Sequence, residues 1–151
     1  MIMHSLIRSI AVITCCLFLS ACEGPFIFLA GGKLGGAVAE TPDNWQLSKE
    51  SGLAQLETRP SDPYSNNFTY IQMNGDLYVY AGDTRTNWVK NIEQSPLIRV
   101  KIGDVIYEAR AVRINDQDHI NEFAEMWITR GPFMRDPRNF EEVWLYQLVA
   151  R

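Results

Sequence analysis

Apolar and polar residues alternate along six short stretches in the second two thirds of the chain, and this period of two predicts β-strands. Two pairs of these stretches flank tight-turn signals: Asn74-Gly75, which a type I′ hairpin prefers, and Gly103-Asp104. The loop before the second strand is rich in turn residues and extends to Ser65. The predicted strands are Leu53–Thr58, Phe68–Met73, Leu77–Ala81, Leu97–Ile102, Val105–Ile114 and Val143–Ala150.

Two further stretches place apolar residues at helical spacing. The first, Asp83–Gln94, is stopped by Pro96, which cannot continue a helix. The second is capped by Asn115 or Asp116 and runs to about Thr129.

The order of these elements predicts the fold class. Strand, hairpin, helix, hairpin, helix and strand imply an α+β domain that is mainly β: a small antiparallel β-barrel of about six strands with two helices. Closure of a barrel removes unpaired strand edges, which an exported β-domain needs. We assign this domain to residues 45–151.

The N-terminus has the layout of a secretory signal. An apolar run of 12 residues, Ile10–Ala21, follows a start that carries Arg8. A membrane-spanning helix needs roughly 20 apolar residues, so this run is too short to be a transmembrane anchor. We predict a signal peptide over residues 1–21. An ordinary signal-peptidase site is the alternative, although Leu19-Ser20-Ala21 fits its A-x-A pattern less well.

The run Leu19-Ser20-Ala21-Cys22 resembles the lipobox of bacterial lipoproteins. The resemblance implies that Cys22 is acylated, becomes the new N-terminus and holds the protein on a lipid membrane. In enterobacterial lipoproteins an aspartate at the next position favours the inner membrane, and here that position is Glu23. The resemblance therefore implies a place in the cell envelope, anchored in the outer membrane and facing the periplasm, if the organism has two membranes.

Composition limits the partners of the mature chain. Removal of residues 1–21 takes away Arg8 and changes the net charge from −4 to −5, which argues against binding nucleic acid. Of the three cysteines only Cys22 is left, so no disulfide can stabilise the exported domain. His119 is the only histidine of the mature chain and has no cysteine companion, so we predict no metal site.

Residues 22–44 read as a lipidated cysteine followed by a flexible linker. Glycine and proline pairs such as Gly31-Gly32 and Gly35-Gly36 interrupt regular structure there. The apolar run Phe26–Leu29 is unusual in a free linker. It either packs on the domain, which we prefer slightly, or rests against lipid.

One part of the chain resembles a known family. The stretch Asn87–Gly103 and the strand Tyr107–Val112 resemble the split-barrel flavin-binding superfamily, nearest its deazaflavin-dependent nitroreductase-like branch. That group often has a tryptophan, a short helix ending in N-L-x-x-x-P and a strand of V-x-V-x-x-G. The resemblance implies a split β-barrel, FMN or deazaflavin as the cofactor, and a homodimer.

The resemblance also suggests where a cofactor would lie. A flavin phosphate needs oriented N–H donors and cations, which relatives supply after the first strands and before the tryptophan helix. The relatives' R-K-S-G stretch is replaced here by Thr58–Asp62. Arg85 is the best phosphate candidate; a free surface position or a salt bridge to Asp83 is the plainer alternative. The cofactor-binding candidates are Arg59, Ser65, Thr84, Arg85 and Trp88.

Two functions of different class follow from these observations. In the first, which we favour, the domain is a non-catalytic module in the envelope that binds a small ligand or a protein partner. In the second, it is a flavin- or deazaflavin-dependent oxidoreductase, in which the cofactor supplies the redox chemistry. Export and the altered phosphate loop favour the first, because flavins must be exported separately.

Overall fold

The structure, a computed structural model, describes residues 24–27 and 29–151. The predicted signal peptide and Cys22 lie outside the described residues. In the described part of the chain the helices are α1 (Asn87–Gln94) and α2 (Gln117–Ile128), and a 3-10 turn spans Pro137–Asn139. No helix within the described residues is long and apolar enough to cross a membrane. The strands are β1 (Ala37–Ala39), β2 (Ser51–Thr58), β3 (Tyr64–Met73), β4 (Asp76–Gly82), β5 (Leu97–Ile102), β6 (Val105–Ile114) and β7 (Val143–Ala150).

Six antiparallel strands close into a barrel in the order β6-β5-β2-β3-β4-β7, with β7 pairing back onto β6. The ten residues of β6 make closure possible. Its first part, Val105–Arg110, pairs with β5, and its last part, Ala109–Ile114, pairs with β7. The predicted fold class, a small barrel of six antiparallel strands with two helices, is confirmed.

The turn and the helix cap predicted from the sequence are both present in the structure. Asn74 and Gly75 have φ values of 54° and 85°, the two positive angles that a type I′ hairpin requires. At the start of α2, the Asp116 carboxylate accepts a hydrogen bond of 2.9 Å from the backbone N–H of His119. This confirms the predicted cap of the second helix.

Two predicted boundaries are wrong. The first helix begins at Asn87 rather than at Asp83, because Asp83 has a φ of 67° and cannot be helical. Strand β3 begins at Tyr64, four residues before the predicted start, so that Ser65 lies in a strand and not in a loop. Its polar first residues pair with the last residues of β2, and pairing rather than apolar alternation makes them a strand.

The apolar residues form two clusters. One fills the barrel and includes the fully buried Leu56, Val89 and Val100. The other lies where α2 covers β3, β4 and β7, and joins Phe123 to Tyr78. Burial raises the pKa of Tyr78 well above its usual value, and its hydroxyl lies 2.8 Å from Nε2 of His119.

The residues predicted as a flexible linker are packed along the barrel in their described part. We call residues 24–39, apart from Phe28, the docked segment. Its Leu34 is 2% exposed, and its Gly35 carbonyl accepts a hydrogen bond of 2.7 Å from Lys101 Nζ. At its end β1 pairs in parallel with Val105–Tyr107 of β6. The glycine pairs interrupt regular structure here without preventing the backbone from pairing with the barrel.

The apolar run at the start of the docked segment behaves differently. The side chains of Phe26, Ile27 and Leu29 are 61%, 62% and 69% exposed. Our slight preference for packing of this run on the domain is therefore wrong for these three residues. The backbone of the run is held while its side chains face outward.

Replacement of Leu34 tests the docking of the segment. We expect Leu34→Ala to lower the free energy of unfolding by about 2–5 kcal/mol, the usual cost of removing a buried leucine. The matched control is Leu29→Ala, five residues earlier and largely exposed, which should change it by less than about 0.5 kcal/mol. Urea unfolding followed by tryptophan fluorescence measures both. Equal effects of the two changes would contradict a docked segment.

Candidate functional site

The docked segment crosses the outer face of the barrel from strand to strand. It starts beside β3, where Gly31 and Ser65 exchange two backbone hydrogen bonds of 2.9 and 2.8 Å. It passes over β2, where the backbone N–H of Leu34 donates to the Glu57 carboxylate, and continues over β5 to β6. Among the clefts that border this path, one lies on each side of the Gly31 bridge.

A nearly buried ion pair lies beneath the segment. Glu57 on β2 is opposite Arg99 on β5, and Arg99 Nη1 lies 3.0 and 3.1 Å from the two carboxylate oxygens. The Glu57 side chain is 4% exposed and that of Arg99 is 16% exposed. The Leu34 N–H, 2.5 Å away, supplies a further donor. The carboxylate is therefore stabilised by oriented donors in place of water.

The first cleft is charged and has a volume of about 480 Å³. Besides the Glu57–Arg99 pair it contains Glu108, which is bonded to Arg151, and this bond holds the pKa of the Glu108 carboxyl below its usual range. Lys33 of the docked segment lines it as well. Its cationic side chains outnumber its carboxylates by one, but two of the three cations are already paired with carboxylates.

The second cleft is uncharged and smaller, about 280 Å³. It lies between the docked segment, the start of β3 and the N-terminus of α1. Aromatic rings and amide groups face each other across it, and no lysine or arginine is among the described residues that line it. These residues are Ile27, Leu29, Tyr64, Asn66, Asn67, Thr86, Asn87 and Trp88.

Two polar atoms at the uncharged cleft have no partner among the described residues: Oγ1 of Thr86 and Oδ1 of Asn66. Thr86 is the N-cap of α1, but its side chain makes no capping bond. Buried polar atoms without a partner are uncommon and need an explanation. Both atoms have almost no accessible surface, so a ligand in the cleft would reach them only if their side chains rotated.

The structure does not bring the residues that we predicted to bind a flavin phosphate into one site. Thr84 is exposed and lies in a turn, where its N–H donates to the Gly82 carbonyl at 2.8 Å. Arg85 is bonded to Glu93, with Nε 2.7 Å from the carboxylate oxygen. The predicted alternative, a bridge from Arg85 to Asp83, is wrong because Asp83 accepts from Arg135 instead. Neither Thr84 nor Arg85 lines the two clefts.

The other three predicted residues lie closer to the uncharged cleft. Arg59 pairs with Asp62 at 3.2 Å and lies over the ring of Tyr64, 5.5 Å from its centre. Ser65 is fully buried, and its Oγ has no partner among the described residues. Trp88 lines the cleft but is 8% exposed and packs edge-on against Tyr146.

This arrangement does not fit the phosphate end of a flavin. A phosphate needs free cations or several oriented N–H donors, whereas Arg85 and Arg59 are each paired with a carboxylate. The uncharged cleft has no cation in its described lining and is slightly below the roughly 300–1,000 Å³ of typical ligand pockets. Trp88 is part of the core, so its ring face is not free for stacking.

Sequence reasoning missed the Glu57–Arg99 pair and the asparagines of the uncharged cleft. Glu57 sits at an outward position of a strand, where a charge is ordinarily solvated. It is buried by contacts with Leu34, 23 positions earlier in the chain, and with Arg99, 42 positions later. Because Leu34, Glu57 and Arg99 are far apart in the sequence, no local pattern predicts that they come into contact.

The sequence matches no protein-family profile, and no curated protein is similar to it. Solved structures do share its fold. One is a pyridoxamine 5′-phosphate oxidase-like protein from Listeria innocua, with 13% identity, a TM-score of 0.52, and coverage of 66% of this chain and 83% of the other. A NimC/NimA family protein from Clostridium acetobutylicum has 12% identity, a TM-score of 0.52 and coverage of 66% and 72%.

The heme storage protein HutZ from Vibrio cholerae is also similar, with 16% identity, a TM-score of 0.53 and coverage of 66% and 81%. These neighbours share the barrel of this chain. At these identities the likeness shows the fold alone. The split-barrel part of the predicted resemblance is confirmed, and the deazaflavin branch stays a prediction.

A change at Glu57 tests the role of the buried carboxylate. We expect Glu57→Gln to lower the free energy of unfolding by roughly 1.5–3 kcal/mol, because Arg99 loses a charged hydrogen-bond partner. Glu93→Gln is the matched control, since it removes an exposed pair with Arg85 that is worth at most about 1 kcal/mol. Urea unfolding compares the two variants. A Glu57→Gln effect no larger than that of the control would contradict the importance of the buried pair.

Proposed function

We propose that this chain is a lipoprotein of the cell envelope, anchored through acylated Cys22, whose split barrel binds a small ligand or a partner without catalysing a redox reaction. The observation that carries the proposal is the pairing of Arg85 with Glu93 and of Arg59 with Asp62. These two arginines are the cations that the family resemblance assigns to a flavin phosphate. With both neutralised, the fold keeps its barrel but lacks a phosphate clamp at those positions.

The uncharged cleft suggests the chemistry of the ligand. Amide groups of Asn66, Asn67 and Asn87 stand beside the aromatic side chains of Tyr64 and Trp88. Such a mixture suits a small, neutral, polar molecule, because amides can both donate and accept while the rings cover its apolar parts. A charged ligand would find no counter-ion among these side chains.

The anchor is proposed from the sequence around Cys22. The short apolar run, the small residues before the cysteine and the lipobox resemblance support it. Glu23 in place of aspartate supports the outer membrane as the destination. The barrel follows the anchor in the chain, so it would bind its ligand or partner close to the membrane surface.

Flavin uptake separates the proposal from the oxidoreductase alternative. We expect purified full-length protein in detergent to leave the absorption spectra of FMN and of a deazaflavin unchanged at tens of micromolar, because the phosphate cations are paired. Saturable uptake that Arg85→Ala weakens would instead support the oxidoreductase. Lys90→Ala is the matched control, since it removes an exposed cation of α1 that lines neither cleft.

Metabolic labelling tests the anchor. We expect cells that express the full chain to incorporate labelled palmitate into the protein, and Cys22→Ser to abolish the label. Cys16→Ser is the matched control: it removes a cysteine of the predicted signal peptide, so the label should persist. Labelling that survives Cys22→Ser would overturn the proposed anchor.

A further inference from the structure

Four large apolar side chains are exposed on one side of the barrel. Phe26, Ile27 and Leu29 belong to the docked segment, and Leu53, 80% exposed, lies on β2. We call these four residues the apolar patch. Isolated exposed apolar residues are ordinary on a protein surface, whereas a group of them marks an interaction site.

Contacts with the barrel place the four residues on the same face. The Ile27 carbonyl accepts a hydrogen bond of 2.9 Å from Asn67 on β3. Asn67 is directly opposite Gln55 on β2, and Leu53 is two residues from Gln55 on the same side of that strand. Gly24, at the other end of the turn, lies against the Gln55 side chain.

The exposed side chains stand on a fixed backbone. Phe26 and Leu29 exchange two hydrogen bonds, 3.1 and 2.8 Å, which close the turn between them. The Gly31 bridge to Ser65 holds the chain two residues further on. The docked turn therefore holds these apolar side chains facing outward. A free linker, by contrast, could have folded them away from water.

The residues nearest Leu53 on the outer face of β2 and β3 are uncharged, and the cation Lys101 on β5 lies opposite Gln55. Gln55 on β2, and Asn67 and Thr69 on β3, share the outer face with Leu53. At the margin, Arg130 Nη2 lies 3.5 Å from Oγ1 of Thr69. The mature chain, whose net charge is −5, thus presents an uncharged surface of β2 and β3 with cations at its edges to whatever covers the patch. That is the charge arrangement that an anionic lipid surface favours.

The proposed anchor identifies the lipid membrane as the surface that covers the apolar patch. Cys22 precedes Phe26 by four residues, which span at most about 14 Å even when fully extended. The headgroup layer on each side of a bilayer is roughly 5–8 Å thick. With acyl chains on Cys22 in the hydrocarbon, the turn cannot rise far above the headgroups, and its attachment to β3 brings the barrel with it.

We propose that the apolar patch lies in the membrane interface, so that the barrel rests on the bilayer with the outer face of β2 and β3 toward the lipid. This inference rests on the proposed anchor at Cys22. It differs from the flexible linker predicted for residues 22–44, which would let the domain stand away from the membrane. The lipid chains hold the protein in the membrane, while the patch sets its orientation.

Site-specific fluorescence tests the orientation. The full-length, acylated protein carries Ile27→Cys, labelled with an environment-sensitive dye, in vesicles of phosphatidylethanolamine and phosphatidylglycerol. The matched control is Val112→Cys on β6, an apolar and partly exposed position on the opposite side of the barrel by strand order. With nitroxide-bearing lipids, we expect the label at 27 to lose at least about half of its emission, and the label at 112 less than about a tenth, because interfacial residues lie about 5–10 Å into the headgroup boundary.

Vesicle flotation, measured on the same samples, keeps the two proposals apart. Protein that does not float with the vesicles refutes the anchor. Protein that floats but whose label at 27 is not quenched refutes the orientation and leaves the anchor standing. If that unquenched label is blue-shifted and transfers energy to a second labelled copy, the patch is a contact between two chains instead. Equal quenching at 27 and 112 also overturns the proposal.

Discussion

A buried carboxylate, Glu57, determines how the N-terminal part of this protein relates to its barrel. Removing a carboxylate from water is costly unless oriented donors replace the lost hydration. Arg99, on the neighbouring strand, supplies one donor, and the backbone of Leu34 supplies another. The second donor exists only while the docked segment is in place. Segment and ion pair therefore stabilise each other, and the path of the chain from β3 across to β6 follows from that mutual dependence.

Other charge pairs bear on what this chain can bind. A flavin phosphate needs cations or oriented N–H donors. Here Arg59 and Arg85 are each satisfied by a neighbouring carboxylate. The first cleft holds its charges in pairs, and the second is lined by amides and rings. The fold is thus shared with its structural neighbours, and the side chains at the clefts determine what this chain can bind.

Much of the fold was readable because it is encoded locally. Alternating strands, the Asn74-Gly75 turn and the Asp116 cap each depend on residues within a few positions of one another, and all of them formed as expected. The candidate site was harder to predict. The early start of β3 depends on pairing with β2, and the burial of Glu57 depends on two remote segments. Arg85 does precede the start of α1, but its partner, Glu93, lies on the last turn of that helix.

The short strand β1 has an effect of another kind. Strand β7 pairs with β6 only from Ala109 onward, which leaves Val105–Tyr107 with one open edge. An open edge invites strands of other molecules to add to it, and this leads to strand exchange and aggregation. Residues 37–39 occupy that edge in parallel register. The segment that leads toward the proposed anchor therefore also prevents other molecules from pairing with this edge of the barrel. This matters most when the molecules are concentrated on a membrane surface.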